Sequence, residues 1–150
     1  MYKTKRALHI FALLALSVFF ASCCGDNGRP DLRLTSQSFP ASANVNQNFT
    51  LTFTVANNST TDCPADRSTQ TQVNLKMVRR GATDPQVNNF ENMNALDDNQ
   101  TQTFTFNVVI GPGGNGGPGT YDLTFTIDPY NNSNDAVKDN NVYTSVVIIN

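Results

Sequence analysis

The chain of 150 residues has no tryptophan, one histidine, three cysteines and a single glutamate, Glu91. Each shortage excludes something. The one histidine, His9, lies in an apolar N-terminal segment, so the remainder cannot build a Ser-His-Asp or Cys-His arrangement or a histidine-ligated zinc site. Without tryptophan and a suitably spaced cysteine pair there is no antibody-type core, in which a tryptophan packs on an inter-sheet disulfide. Charged residues make up 15% of the chain, and Arg79-Arg80 is the only close basic pair beyond the N-terminus, read as a solvated turn. All 12 acidic residues follow the apolar segment while three of the 10 basic ones precede it, leaving a net charge of −5 on the rest. A nucleic-acid partner needs a basic patch, so none is expected. Adjacent Asp97 and Asp98 would point to opposite faces of a strand and cannot jointly flank a glycosidic bond. Asp128 and Asp139 can meet across strands, yet no apolar pocket is in view to raise either pKa as a general acid requires. Catalysis is therefore not expected.

What is present begins with an export signal. Lys3, Lys5 and Arg6 precede an apolar run from Ala7 to Ala21, broken only by His9 and Ser17. Fifteen helical residues span about 22 Å against a hydrocarbon core of roughly 30 Å, short for a membrane span and typical of a signal-peptide core. An uncleaved membrane anchor is the alternative. Phe20-Ala21-Ser22-Cys23 resembles a bacterial lipobox, which implies cleavage after Ser22 and lipidation of Cys23. Phe20 departs from the usual aliphatic residue, and ordinary secretion with cleavage near Ser22 is the bland reading. A multiply acylated cysteine holds a protein on a membrane, since each buried methylene contributes about 0.8 kcal/mol. The expected organisation is thus a signal peptide over 1–22, a lipidated N-terminus and polar tether over 23–30, and one domain over 31–150. Export also permits a Cys24–Cys63 disulfide, although sequence alone does not place their Cα atoms within bonding reach.

From Asp31 onward the dominant pattern is alternation. Leu32 and Leu34 open a first strand that Phe39-Pro40 closes. Phe49, Leu51, Phe53 and Val55 alternate with Thr50, Thr52 and Thr54, a period of two with one face buried and one wet. The pattern recurs at Val73, Leu75 and Met77, at Phe104, Phe106, Val108 and Ile110, and at Tyr121, Leu123, Phe125 and Ile127. Asn141 to Ile149 forms the last strand. Its run Val146-Val147-Ile148-Ile149 predicts an end covered on both sides. Phe90 to Leu96 holds a short strand or a packed loop. Turn-rich stretches lie at 57–67, 80–89, 111–119 and 128–140, and no window carries a helical period. The expected fold is all-β, an immunoglobulin-like antiparallel sandwich of about seven strands behind a cleaved lipoprotein signal peptide.

These residues resemble the bacterial cell-adhesion-related (CARDB) domain. The likeness rests on Asp31-Leu32-Arg33-Leu34, on the alternating strand ending at Asn57, and on Ile127-Asp128-Pro129 followed by Lys138-Asp139-Asn140-Asn141. It covers Asp31 to Asn150. Departures are Asn58-Ser59 where a glycine is usual, Asp139 in place of glutamate, and the glycine-rich 111–119 segment. The resemblance implies an immunoglobulin-like fold and an adhesion or spacer role without one universal ligand. Fold analogy alone does not assign function.

Three features remain as candidates. Asp128, Asn131, Asp135 and Asp139 crowd hard oxygen donors into one loop, the one place where calcium, which takes six to eight oxygens, is a candidate. The spacing is not that of an EF-hand, and the competing reading is turn chemistry, in which Asn and Asp bond nearby backbone. No other cofactor is expected. Among the aromatics Phe90, Tyr121, Tyr130 and Tyr143, Tyr130 in the polar loop is the best candidate for an exposed ligand-binding platform, whereas Tyr121 belongs to the core by its alternation. The glycine-rich segment has no lysine and precedes a strand, so it is a flexible connection rather than a phosphate-binding loop. Expected partners are a membrane, through the N-terminal lipid, and envelope or surface proteins or glycans. The expected location is the bacterial cell envelope, at the outer membrane or cell surface.

Overall fold

The structure, a computed structural model, describes residues 28–59, 67–112 and 116–150. Cys23, Cys24 and Cys63 therefore lie outside the described residues, as do the signal segment and the tether's first part. Eight strands follow in order: β1 (Leu32–Ser38), β2 (Ser42–Ala43), β3 (Asn48–Asn57), β4 (Thr71–Arg79), β5 (Val87–Met93), β6 (Thr101–Val109), β7 (Gly119–Ile127) and β8 (Val142–Ile149). They form a three-stranded sheet, β1-β3-β6, and a five-stranded sheet, β2-β8-β7-β4-β5. All pairings are antiparallel except that of β2 with β8. Apart from one 3-10 turn at Lys138–Asn140, no helix occurs among the described residues.

The alternation does what a period of two requires. Leu51, Phe53 and Val55 of β3, Val73, Leu75 and Met77 of β4, and Tyr121, Leu123 and Phe125 of β7 are completely buried. The threonines between the β3 residues face outward. Phe53 of one sheet stacks on Phe125 of the other, ring centroids 4.3 Å apart and planes 5° from parallel. Phe104 and Phe106 close on Phe125 at 6.4 and 6.3 Å, and Phe39 and Tyr143 on Phe53 at 6.2 and 6.4 Å. Aromatic pairs in such offset and edge-on arrangements add to the burial of their area. This cluster occupies the centre that tryptophan and cystine hold in antibody domains.

The start of β7 is pinned by its own tyrosine. The Tyr121 hydroxyl donates to the Gly117 carbonyl at 2.8 Å, the geometry of the tyrosine corner of immunoglobulin-like sandwiches. Two residues on, where antibody domains carry their second cysteine, stands the fully buried Leu123. Arg79 reaches over to donate to the Gly116 carbonyl at 3.0 Å. Gly117 and Gly119 hold φ of 97° and 152°, and a Cβ on Gly119 would come within 2.8 Å of the Arg79 side chain. The second half of the glycine-rich segment is therefore anchored rather than a free connection.

Three further expectations change. The segment 80–89, read as turn, ends inside β5, because Asn-rich Val87–Met93 carries no alternation and is a strand only through its pairing with β4. β2 was invisible for the same reason: two residues, Ser42 and Ala43, are held by the end of β8. The end of β8 is not covered on both sides. Val147 and Ile149 are buried, whereas Val146 and Ile148 are 39% and 49% exposed, because β8 has the core on one side only. Truncating the central ring should be severe: Phe53→Ala is expected to lower stability by about 3–5 kcal/mol, read as a fall in Tm on the order of 10 °C by calorimetry.

Candidate functional site

One end of the sandwich is closed by the loop between β7 and β8, and its acidic residues work inside the protein. Asp128 follows the last residue of β7 with φ of 49°, in the left-handed region that Asn and Asp tolerate. Its Oδ1 accepts from the Thr71 hydroxyl and from the Asn132 backbone N–H, and its Oδ2 accepts from the N–H and hydroxyl of Ser133 at 2.9 and 2.7 Å. Burial acts to raise the Asp128 pKa, but these hydrogen bonds to the charged form outweigh it and hold the carboxyl below its ordinary value. Asn131 and Asn134 also adopt positive φ. This is turn chemistry carried through a whole loop.

Asp135 is a second anchor, 1% exposed. Its Oδ2 accepts from the Leu32 N–H at 3.2 Å and the Asn141 amide at 2.8 Å, and its Oδ1 from the Val137 N–H at 3.0 Å. Here burial prevails over the hydrogen bonds and, with the charge of Asp31, raises the pKa. Around it the first and last parts of the domain are tied together. Arg29 donates to the Asn134 carbonyl and side chain and to the Asp135 carbonyl, at 3.0, 3.1 and 2.8 Å. The Asn140 amide donates to Asp31 at 2.8 Å, and the Asp31 N–H donates to the Asn57 side chain, whose amide continues to the Leu96 carbonyl. Arg29 and Pro30, read from sequence as the end of the tether, are thus bound into the fold; Pro30 accepts from the Ala136 N–H.

These contacts show how the structure uses the carboxylates of this loop. Asp128, Asp135 and Asp139 do not form a group of three acidic side chains able to hold a metal ion among the described residues. The carboxylate oxygens of Asp128 and Asp135 accept from N–H and O–H donors. Asp139 lies exposed in the 3-10 turn and Asn131 is also exposed.

The aromatics come together differently. Tyr130 is 59% exposed and Phe90 43%, and their rings stack with centroids 6.0 Å apart and planes 16° from parallel. Tyr143 packs against the core and Tyr121 is buried in it. Phe90 opens a row across the outer face of the five-stranded sheet: Phe90 pairs with Asn74, Asn74 with Thr126 and Thr126 with Val142. Amides flank the rings, with Asn74 donating to Asn88 at 2.9 Å and Gln72 to Asn92 at 3.0 Å. Farther along the same face an open groove of about 460 Å³ is bounded by Asp122, Thr124, Thr144 and Val146, with Arg80 paired to Asp122 at 2.9 Å. Sequence reasoning missed that Val142, Val146 and Ile148 are exposed on this face. Alternation would have put them outside, had the hydrophobic run not argued for cover on both faces.

Two packed, mainly antiparallel sheets, a tyrosine corner and a phenylalanine-centred core define an immunoglobulin-like β-sandwich, with locked turns at one end and an apolar-dotted outer sheet face. The CARDB family model matches residues 29–145, and the chain belongs to that family, associated with cell-adhesion-related modules in bacteria and non-catalytic in type. The CARDB domain of a Pyrococcus furiosus protein, solved in complex with di-metal ions, is similar at 20% identity and a TM-score of 0.62, covering 81% of this chain and 90% of that one. A domain from Methanosarcina acetivorans is similar at 23% identity and a TM-score of 0.54, covering 81% and 93%. A β-glucosidase from Listeria innocua contains a similar domain at 16% identity and a TM-score of 0.54; the match covers 80% of this chain but 16% of the enzyme. No curated protein matches the sequence.

The carboxylate of Asp128 gives a pH test. Its depressed pKa contributes stability that is full above the unfolded value of 3.8 and is lost as pH falls through the lower folded value. Asp128→Asn sets an amide against N–H and O–H donors and should cost about 2 kcal/mol at pH 7. Denaturant unfolding between pH 7 and pH 2 should show the gap from wild type closing below about pH 4.

Proposed function

We propose that this chain is a non-catalytic adhesion or protein-interaction module of the bacterial cell envelope. In this reading lipidated Cys23 holds it on a membrane, at the outer membrane or cell surface, and the outer face of the five-stranded sheet binds envelope or surface proteins. The observation that carries the reading is where the exposed apolar side chains lie. Of the seven large ones among the described residues, Phe90, Val142, Val146 and Ile148 are on that face, and Tyr130 stacks on Phe90. Exposed apolar groups gathered on one surface mark interaction sites. The outer face of the other sheet carries threonines and asparagine on β3 and β6, with Val109 as its one large exposed apolar residue among the described residues. The lipobox-like Phe20-Ala21-Ser22-Cys23 and the preceding apolar run support the anchor.

Two measurements test this. The intact mass of the membrane-extracted protein should show residues 1–22 removed and acyl chains on Cys23; a mature chain without acyl mass would remove the lipid from the account. Val146→Asp combined with Phe90→Asp should reduce captured envelope proteins at least roughly ten-fold relative to wild type, as expected when charge enters an apolar contact. Equal capture would show that this face is not the one used.

A second reading is a glycan-binding module, supported by the Phe90–Tyr130 stack with neutral amides beside it. Aromatic faces with planar polar neighbours suit the apolar face and hydroxyls of a sugar. On a glycan array, Tyr130→Ala should abolish any signal that wild type gives; a signal unaffected by the change would place the sugar elsewhere.

A further inference from the structure

Four strands end the two sheets: β1 and β6 in one, β2 and β5 in the other. An edge strand offers unpaired N–H and C=O groups, and proteins blunt such edges with charge, proline, a bulge or shortness. β1 has a register break between Leu34 and Ser36 and carries Arg33. β2 is two residues long. β5 carries Glu91. β6 has none of these devices. Its nine residues, Thr101–Val109, include no charge, proline or glycine, and they pair with β3 without a break in register. Among the described residues, no backbone hydrogen bond beyond the β3 pairing reaches Thr101 to Val109. Side chains close only one end, where Gln102 exchanges hydrogen bonds with Asn92 and Asn94.

We propose that β6 pairs with β6 of a second copy of this chain, antiparallel about a two-fold axis through Thr105, joining the two three-stranded sheets into one. The occupant follows from charge and symmetry. A two-fold interface sets each surface against itself, so a charged edge meets like charge, whereas the neutral β6 meets no repulsion. In this register Thr105 faces Thr105 and Thr103 faces Asn107 on the outer side. The sheet already holds both combinations: Thr52 lies opposite Thr105, and Thr50 donates to Asn107 at 3.0 Å. On the inner side Phe104 faces Phe106. The joined sheet ends at both sides in β1, whose bulge and Arg33 halt further growth, so the product is a closed dimer rather than a fibre. A single strand pair is a small interface, and association on the order of micromolar is expected. The dimer does not depend on which partner the five-stranded sheet binds, since that face belongs to the other layer.

Sedimentation equilibrium of the full chain in density-matched detergent tests this. Wild type should follow a monomer–dimer equilibrium. Thr105→Lys and Thr105→Glu each set like charges together at the axis and should weaken association at least roughly ten-fold. Thr105 is exposed, so both variants should keep the wild-type melting temperature. An equimolar mixture of the two should restore association, because lysine then faces glutamate. A wild type that stays monomeric, a dimer indifferent to both substitutions, or a mixture that fails to re-associate would each overturn the proposal.

Discussion

The contact between Phe53 and Phe125, one ring from each sheet lying flat on the other, is the constraint on which the rest of this domain depends. With neither tryptophan nor cysteine among the described core residues, the sheets are held together there by apolar area and ring geometry. That demands strict alternation, since a slip of one residue would turn every inward phenylalanine to water. The alternation of β3, β6 and β7 is a direct consequence. So is the outward row of threonines, which suit a pleated surface with one wet face.

Such a core holds the layers together but leaves the ends of the sandwich open, and polar chemistry closes one of them. Asp128 and Asp135 collect N–H and O–H donors that would otherwise be buried without partners. Asp31, Asn57, Asn140 and Asn141, the residues on which the family resemblance rests, turn out to be members of this network. Their recurrence in the pattern therefore has a structural cause. In the acidic loop that suggested calcium, the oxygens of Asp128 and Asp135 accept from backbone N–H groups and from the side chains of Thr71, Ser133 and Asn141.

Much of the fold was legible because its elements announce themselves locally. A period of two needs no partner to be seen, so β1, β3, β4, β6 and β7 were placed close to their observed bounds. β2 and β5 were not, because Ser42-Ala43 and the Asn-rich Val87–Met93 become strands only through neighbours distant in sequence. The candidate surface was legible in part. Tyr130 stood out as an aromatic in a polar loop, but its stacking on Phe90 joins residues that only the β4–β5 pairing and the β7–β8 loop bring together.

By itself the amino-acid sequence determined the class of domain, its one-sided burial and the absence of histidine chemistry, because periodicity and residue inventory are properties of the chain before it folds. The proposed export and lipid anchor rest on that sequence alone, on Phe20-Ala21-Ser22-Cys23 and the apolar run before it. Only the tertiary structure decided which face each end of β8 shows, where the loop carboxylates point and which strands form the edges of the sheets. Those are matters of which distant segments touch, and a burial pattern along one strand does not encode what lies across from it.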